Sequence, residues 1–416
     1  MPSLLRPIWL VLSLIVSATT VAQQPAPAVG LATIDPGDVY WQRFGHNALI
    51  VEPSDHDGAL SYNFGYFDFD QPDFFTRFLR GRMLYQALAL PAREDLRRYV
   101  DENRSVHLQS LDLTPVQAHR LAAFLHEAVK PENRDYLYEY FRANCSTRIR
   151  DAIDVALDGE LRRQTISRSR GFTYRMHAMR LAEGNFWLAI AIDLGLGPNV
   201  DHPLTFWDEM FIPEMMRRYL REVRNTDGSP LVHEETTWFD SGEPPPPELP
   251  KDRQLSFFAV GLTVAIGLLW LGGRAKRDAG THRGLSWIAA ALHLLFGLAG
   301  AILLFLWLGT DHIAAHGNEN LLLLSPLSLL LAPLWLRRPA STRTIIGTIG
   351  SVLATLIATC AVLGLFAKAL PDTFPQANLH WCLLLVPVHL ALFLCWRMSI
   401  REPRTALVIG QNRADG

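Results

Sequence analysis

The chain has 416 residues, with 39 Lys and Arg against 41 Asp and Glu, for a formal net charge of −2. That balance argues against a nucleic-acid partner, which calls for a basic surface to neutralise phosphates. The averages of 49% hydrophobic and 19% charged residues conceal two unlike parts, a mixed N-terminal portion and a strongly apolar final third.

Residues 1–22 carry Arg6, an apolar run from Ile8 to Val16 and then Thr20-Val21-Ala22, the layout of a secretory signal peptide with a small-residue cleavage site. The chain beyond residue 22 is therefore expected to be exported, with an uncleaved N-terminal anchor as the alternative. Gln23, not cysteine, stands after the cut, so the mature chain is not expected to be a lipoprotein itself.

Residues 23–240 read as one exported globular domain. In "WQRFGHNALIVEP", Gly45 allows close backbone approach, and Ala48, Leu49, Ile50 and Val51 suit a strand buried on both faces. "SDHDG" turns the chain and "ALSYNFG" returns it as a second strand. Folding about residues 54 and 55 would set His46 opposite Asn63. "YFDFDQPDFF" (66–75) either lines an apolar pocket or closes the sheet. His107 falls in an alternating strand, and Thr114-Pro115 opens a helix that carries His119 and His126. "YLYEYF" alternates like a strand. "STRIRDAIDVAL" then sets Ile149, Ile153, Ala156 and Leu157 on one helical face. Phe206, Trp207, Met210, Phe211, Met215, Met216 and Tyr219 recur at helical spacing and are expected to be core before an interfacial helix is considered.

The Pro-rich stretch 241–254 reads as a linker. Apolar runs at 255–273, 285–308, 321–336, 344–369 and 381–396 give an all-α membrane domain of five transmembrane helices over 255–397. Pro326 and Pro333 imply that the third is kinked or begins near Asn318. Arg274, Lys276, Arg277, Arg283, Arg337, Arg338, Arg343, Arg397, Arg401 and Arg404 mark the cytoplasmic segments. The exported domain is therefore expected in the periplasm and the tail, 398–416, in the cytoplasm. His312, His316, Asn320, Asn378 and His380 fall at the outer mouth of the spans, as head-group or acceptor contacts or as ordinary interfacial polar residues.

Of four cysteines, Cys360, Cys382 and Cys395 lie in or beside the spans, which leaves Cys145 alone in a domain whose compartment favours disulfides. A lone thiol is either buried and inert or reactive. Here it stands at a strand-to-helix turn, with Asn144 or Ser146 able to cap, so the helix dipole and Arg148 would favour the thiolate. His46 is the best-held histidine to act as its base, with Asn63 to orient the ring. The backbone N–H of Cys145 is the expected oxyanion donor and Asn144 a further side-chain donor. No cofactor and no metal ion are called for.

"FGHNALIVE…YNFGYFDF", "NCSTRIRDAID", "FWDEMFIP" and "NENLLLLSPLSLLL", in this order, resemble the Lnb type of bacterial lipoprotein N-acyltransferase. The His-first, Cys-later order is similar to permuted papain-like folds of the NlpC-like and lecithin retinol acyltransferase groups. The resemblance implies an α+β thiol domain of that fold. It also implies Cys145 as nucleophile, His46 as base and, less directly, Asn63 as third residue. The implied reaction moves a fatty acyl chain from a membrane phospholipid, through a thioester, to the α-amine of a lipoprotein N-terminus at the bacterial inner membrane. Two other readings remain open: a membrane-anchored cysteine hydrolase with the same residues, and a non-catalytic accessory protein with an inert Cys145.

Overall fold

The computed structural model describes residues 25–54, 58–337 and 344–400. The expected signal peptide and the tail beyond residue 400 lie outside the described residues. The N-terminal portion is mixed α+β. Strands β1 (Ala28–Ile34), β2 (His46–Glu52) and β3 (Leu60–Tyr66) form a meander, and α1 (Phe74–Arg80) leads into β4 (Leu84–Pro91). Next come α2 (Ala92–Asp101), β5 (Val106–Leu111), α3 (Pro115–Ala128), β6 (Asp135–Leu137) and α4 (Cys145–Ala156). A helical stretch of α5 (Glu160–Thr165), α6 (Tyr174–Ala182), α7 (Phe186–Gly195), α8 (Phe206–Glu209) and α9 (Pro213–Leu220) precedes β7 (Val232–Phe239).

The seven strands form one sheet in the order β6-β4-β3-β2-β1-β5-β7, antiparallel throughout. Because successive side chains alternate, β1 and β2 bury both faces. On one face Leu31, Leu49 and Val51 join Leu121 and Leu125 of α3 and Ile149 and Ile153 of α4. On the other, Ala32, Ile34 and Ala48 pack against Leu96 of α2. Each fully buried aliphatic side chain contributes about 1.5–3 kcal/mol. The aromatic and Met residues of 206–219 are buried in the first of these cores, as their helical spacing suggests.

The hairpin register differs from the expected one. Ala48 pairs with Asn63 and Ile50 with Ser61, so His46 lies two residues beyond the position opposite Asn63. A shift of two preserves the face, since the side-chain period is two, and the residues become diagonal neighbours. Gly45 enters β2 at φ 79, and a Cβ there would lie 2.7 Å from the carbonyl oxygen of Ile34.

Among the described residues, four helices are long and apolar enough to cross a membrane: α10 (Gln254–Ala275), α11 (Ala279–Gly309), α13 (Ile345–Ala367) and α14 (Leu379–Ser399). The third expected span is not a continuous helix. It consists of a 3-10 turn, Glu319–Leu322, a break at Ser325 and Pro326, and the nine-residue α12 (Ser328–Leu336). Proline at 326 lacks an amide hydrogen and restricts its predecessor, which ends the first piece there. The two pieces run antiparallel to α11: Leu324 backs onto Gly300, Leu329 onto Gly297, and Trp335 stacks near His293. A Cβ at Gly300 would stand 1.8 Å from the Leu324 oxygen, so only glycine admits this approach.

The polar residues at the outer mouth fasten the two parts together. Asp193, at the end of α7, accepts from His380 Nε2 at 2.6 Å and Trp381 Nε1 at 3.0 Å, and Arg175 bridges Asp193 and Asp201. Asn318, Gln376 and Arg175 cap the carbonyls that α7 leaves unpaired at Leu194 and Leu196. Asn320 donates to the Leu194 carbonyl and Asn378 to Asn320, while His312 and His316 bond to backbone carbonyls of Phe78 and Thr310. Ile190 and Leu194 of α7 pack on the membrane core. Burial opposes the charge on Asp193, but the bonds from His380 and Trp381 and the charge of Arg175 hold its carboxyl below the usual range. Replacing Asp193 by Ala leaves Arg175 paired with Asp201 but takes the acceptor from His380 Nε2 and the buried Trp381 Nε1, and is expected to cost about 1–3 kcal/mol. Thermal unfolding in detergent checks it, and an unchanged midpoint would show that the junction does not depend on this carboxylate.

Candidate active site

The local sequence around Cys145 sets a thiol at a helix start. Asn144 is the N-cap: its Oδ1 accepts from the Thr147 amide at 2.9 Å, and Thr147 Oγ1 accepts from the Asn144 amide at 2.9 Å. This reciprocal box leaves Cys145 as the first helical residue, where its own amide has no intrahelical acceptor and the helix dipole is positive. Ile149, Ala152, Ile153 and Ala156, at helical spacing from Cys145, drive that face of α4 into the core, and Cys145 packs against its edge. Ser146 Oγ lies 2.8 Å from Asn47 Oδ1 and 2.7 Å from the Met210 carbonyl, and Asn47 Nδ2 reaches Thr33 Oγ1 at 2.9 Å. These buried bonds tie the start of α4 to the start of β2, so Cys145 and His46 meet at the end of the sheet.

The two groups sustain each other's charge. Burial disfavours a thiolate at Cys145, yet the charge of His46, its hydrogen bond, and the amides of Asn47 and Ser146 together carry the thiol below its ordinary range. Burial likewise disfavours imidazolium, and the thiolate and Asn63 more than offset it, raising His46. Arg148, expected to lend charge to the thiol, instead stacks on Tyr136, with its guanidinium carbon 4.5 Å from the ring centre.

Asn63 orients the ring. His46 Nε2 lies 2.9 Å from Asn63 Oδ1, which leaves Nδ1 for the sulfur. The amide cannot be turned round, because Asn63 Nδ2 donates to Asp95 Oδ2 at 2.7 Å and to Ser61 Oγ at 3.0 Å. Its oxygen must therefore face the imidazole, which donates from Nε2. Asp95 is 1% exposed, also accepts from Ser61 Oγ at 2.6 Å, and is held by Arg98. Tyr99, one turn along α2, stacks on His46 at 5.8 Å. Sequence reasoning missed Asp95. The available signal was an acid on the apolar stripe Ala92, Leu96, Tyr99 of α2, where a solvated carboxylate has no place.

Asn144 requires a correction. Its Nδ2 donates to the carbonyls of Tyr140 at 3.0 Å and Phe211 at 2.9 Å, so both amide hydrogens are committed and none is left for an oxyanion. It positions Cys145 as the cap. Among the described residues, no group of three His, Cys, Asp or Glu is arranged to hold a metal ion. A shallow cavity of about 380 Å³ lies along β7, lined by Arg221, His233, Glu235 and Thr237, at the sheet edge remote from β6 and away from Cys145.

Two family models match the chain: the Lnb N-terminal periplasmic domain over residues 21–180 and the Lnb transmembrane domain over residues 255–386. The chain belongs to the Lnb family. It is thus a membrane protein with a periplasmic domain, and His46, Asn63, Asp95 and Cys145 all fall within the Lnb periplasmic match. No curated protein and no solved structure matches it. For this Lnb-type site, acylation of Cys145 by a small activated ester should fall roughly a hundredfold or more in His46→Ala. Asn63→Ala and Asp95→Ala should each lose about ten- to a hundredfold, the worth of a bond to a charged partner. Stopped-flow release of the ester's alcohol measures this, and equal rates in all three variants and the parent would contradict His46 as base and its orientation by Asn63 and Asp95.

Proposed function

We propose that this Lnb-type chain is a lipoprotein N-acyltransferase of the bacterial inner membrane, working through a Cys145 thioester in a permuted papain-like domain. The observation that carries this reading is the Cys145–His46–Asn63 constellation, with the thiol half-buried at a helix start, in a periplasmic domain bolted to membrane helices. A histidine on a strand that precedes the cysteine's helix in sequence is the order expected of permuted papain-like folds.

In the first half-reaction, Sγ of the thiolate attacks the acyl ester carbonyl of a phospholipid. The Cys145 amide and the helix dipole stabilise the oxyanion. Its collapse breaks the ester bond, and the departing lyso-lipid alkoxide takes the proton of the His46 imidazolium. In the second, the α-amine of a diacylglyceryl-cysteine, already rid of its ammonium proton to solvent, attacks the thioester. Neutral His46 accepts the amine's proton, the C–S bond breaks, and an amide leaves with the thiolate–imidazolium pair restored. A thioester suits this division because it reacts with amines far more readily than an oxygen ester.

Full-length protein in detergent, given phospholipid without acceptor, should gain one acyl mass on Cys145 that hydroxylamine removes at neutral pH. A diacylglyceryl peptide with a free α-amine should discharge it to an amide, and an N-blocked peptide should not. Intact-protein mass spectrometry reads both steps. Discharge by water alone would replace transfer with hydrolysis, and amide formation by Cys145→Ala would remove the nucleophile from this residue.

A further inference from the structure

The stretch from Tyr66 to Arg82 is not needed for the chemistry above, and its side chains are unusual for a water-facing surface. Phe69 is 59% exposed, Phe75 74%, Phe78 42% and Leu79 44%. Exposed aromatic residues this closely spaced mark an interaction surface. Arg77 and Arg80 sit among them on α1 and carry no ion pair among the described residues.

The position of α1 says what that surface faces. The Asp311 amide donates to the Arg80 carbonyl at 2.8 Å, His312 Nε2 lies 3.0 Å from the Phe78 carbonyl, and Arg82 pairs with Asp311. Asp311 lies two residues past the end of α11 at Gly309, and α11 presents Leu308 at 72% exposure and Trp307 at 41%. The apolar face of α1 thus continues the lipid-facing surface of a membrane span at its outer end. Aromatic side chains with interspersed arginines at that depth suit the head-group boundary of a bilayer.

A line of rings leads from α1 to the thiol. Phe74 stacks on Phe67 at 6.3 Å, Phe67 on Tyr85 at 5.1 Å and Tyr85 on Tyr138 at 4.2 Å. Tyr138 and Cys145 then flank Gly65, whose absent Cβ would lie 3.9 Å from Tyr138 Cε2 and 3.7 Å from Cys145 Cβ.

Building on the acyl-transfer reading, we propose that α1 is an interfacial helix that takes a glycerophospholipid from the outer leaflet. Phe75, Phe78 and Leu79 enter the hydrocarbon boundary, and Arg77 and Arg80 bind the lipid phosphate. The rings of Phe74, Phe67, Tyr85 and Tyr138 form the apolar track along which the acyl ester reaches Cys145. The juxtaposition that carries the proposal is an exposed Phe/Arg helix bonded to the outer end of α11 and joined by a run of ring contacts to Tyr138, across Gly65 from the nucleophile.

The test uses the full chain in nanodiscs. A phospholipid with a photoreactive group on its acyl chain is crosslinked to the unmodified protein, and the peptides are mapped. Crosslinks within residues 67–85 are expected; crosslinks confined to the membrane helices would overturn the proposal. In parallel, Cys145 acylation is compared with two donors, nanodisc phospholipid and a water-soluble activated ester. In Phe75→Ser/Phe78→Ser and in Arg77→Gln/Arg80→Gln, the ratio of lipid to soluble-ester acylation should fall on the order of tenfold or more, the worth of lost interfacial contacts. An unchanged ratio would overturn the proposal, including when both rates drop together. If the parent is acylated by the soluble ester and never by phospholipid, the acyl-transfer reading fails while the crosslinks still judge the docking surface.

Discussion

Everything in this site turns on a contact between two ionisable groups that burial alone would keep neutral. The Cys145 thiol and the His46 imidazole each lose water, and each is drawn toward its charged form chiefly by the other. Such a pair needs fixed geometry, because a small displacement removes the attraction and leaves the desolvation cost. The fold supplies that fixity twice. The Asn144–Thr147 box sets where α4 begins, and the buried Ser146–Asn47 bond sets where that beginning lies against β2. On the other side of the imidazole, Asp95 and Ser61 hold the Asn63 amide in the one orientation that accepts from Nε2. Polar residues at 0–7% exposure thus surround a half-buried thiol.

The nucleophile, the base and their orienting partner were legible because each stands in a local pattern with a physical reading: a cap before a helix, a glycine before a strand, two strands around a turn. Features beyond local pattern were not. The hairpin turn takes more residues than its "SDHDG" core suggests, so the pairing is offset by two while the faces survive. Asp95 reads as one of two adjacent acids in "AREDLRRYV" until the fold shows which side of α2 is covered. The fate of Asn144's amide hydrogens depends on Phe211, distant in sequence, which no local signal announces. The third span looked kinked from its prolines. Its division into a 3-10 turn and a short helix, on either side of Pro326, appears only with the close approach of Leu324 and Leu329 to Gly300 and Gly297 of α11.

The junction between the two parts makes the membrane domain more than a tether. Loops 310–318 and 368–378 both bond to the periplasmic domain, at Arg82, Leu194, Leu196 and Asp201. Both therefore lie on its side of the bilayer, and between them the broken segment with α12 packs antiparallel to α11. His312, Asn320 and His380 spend hydrogen bonds on this attachment, and His316 and Asn378 brace the segments that make it. It holds the start of β2 and the start of α4 at a set distance from the outer leaflet, which a flexible linker could not do.

The central claim is the ion pair itself, and the alkylation rate of Cys145 as a function of pH tests it most directly. Peptide mass mapping separates Cys145 from Cys360, Cys382 and Cys395 in full-length protein. The thiol is held low by His46, so its reactivity should persist as pH falls well below the ordinary thiol range of about 8.5. In His46→Gln, burial acts with little to oppose it, and the inflection should move up to or above that range. Identical curves for the two proteins, both inflecting in the ordinary thiol range, would contradict the account.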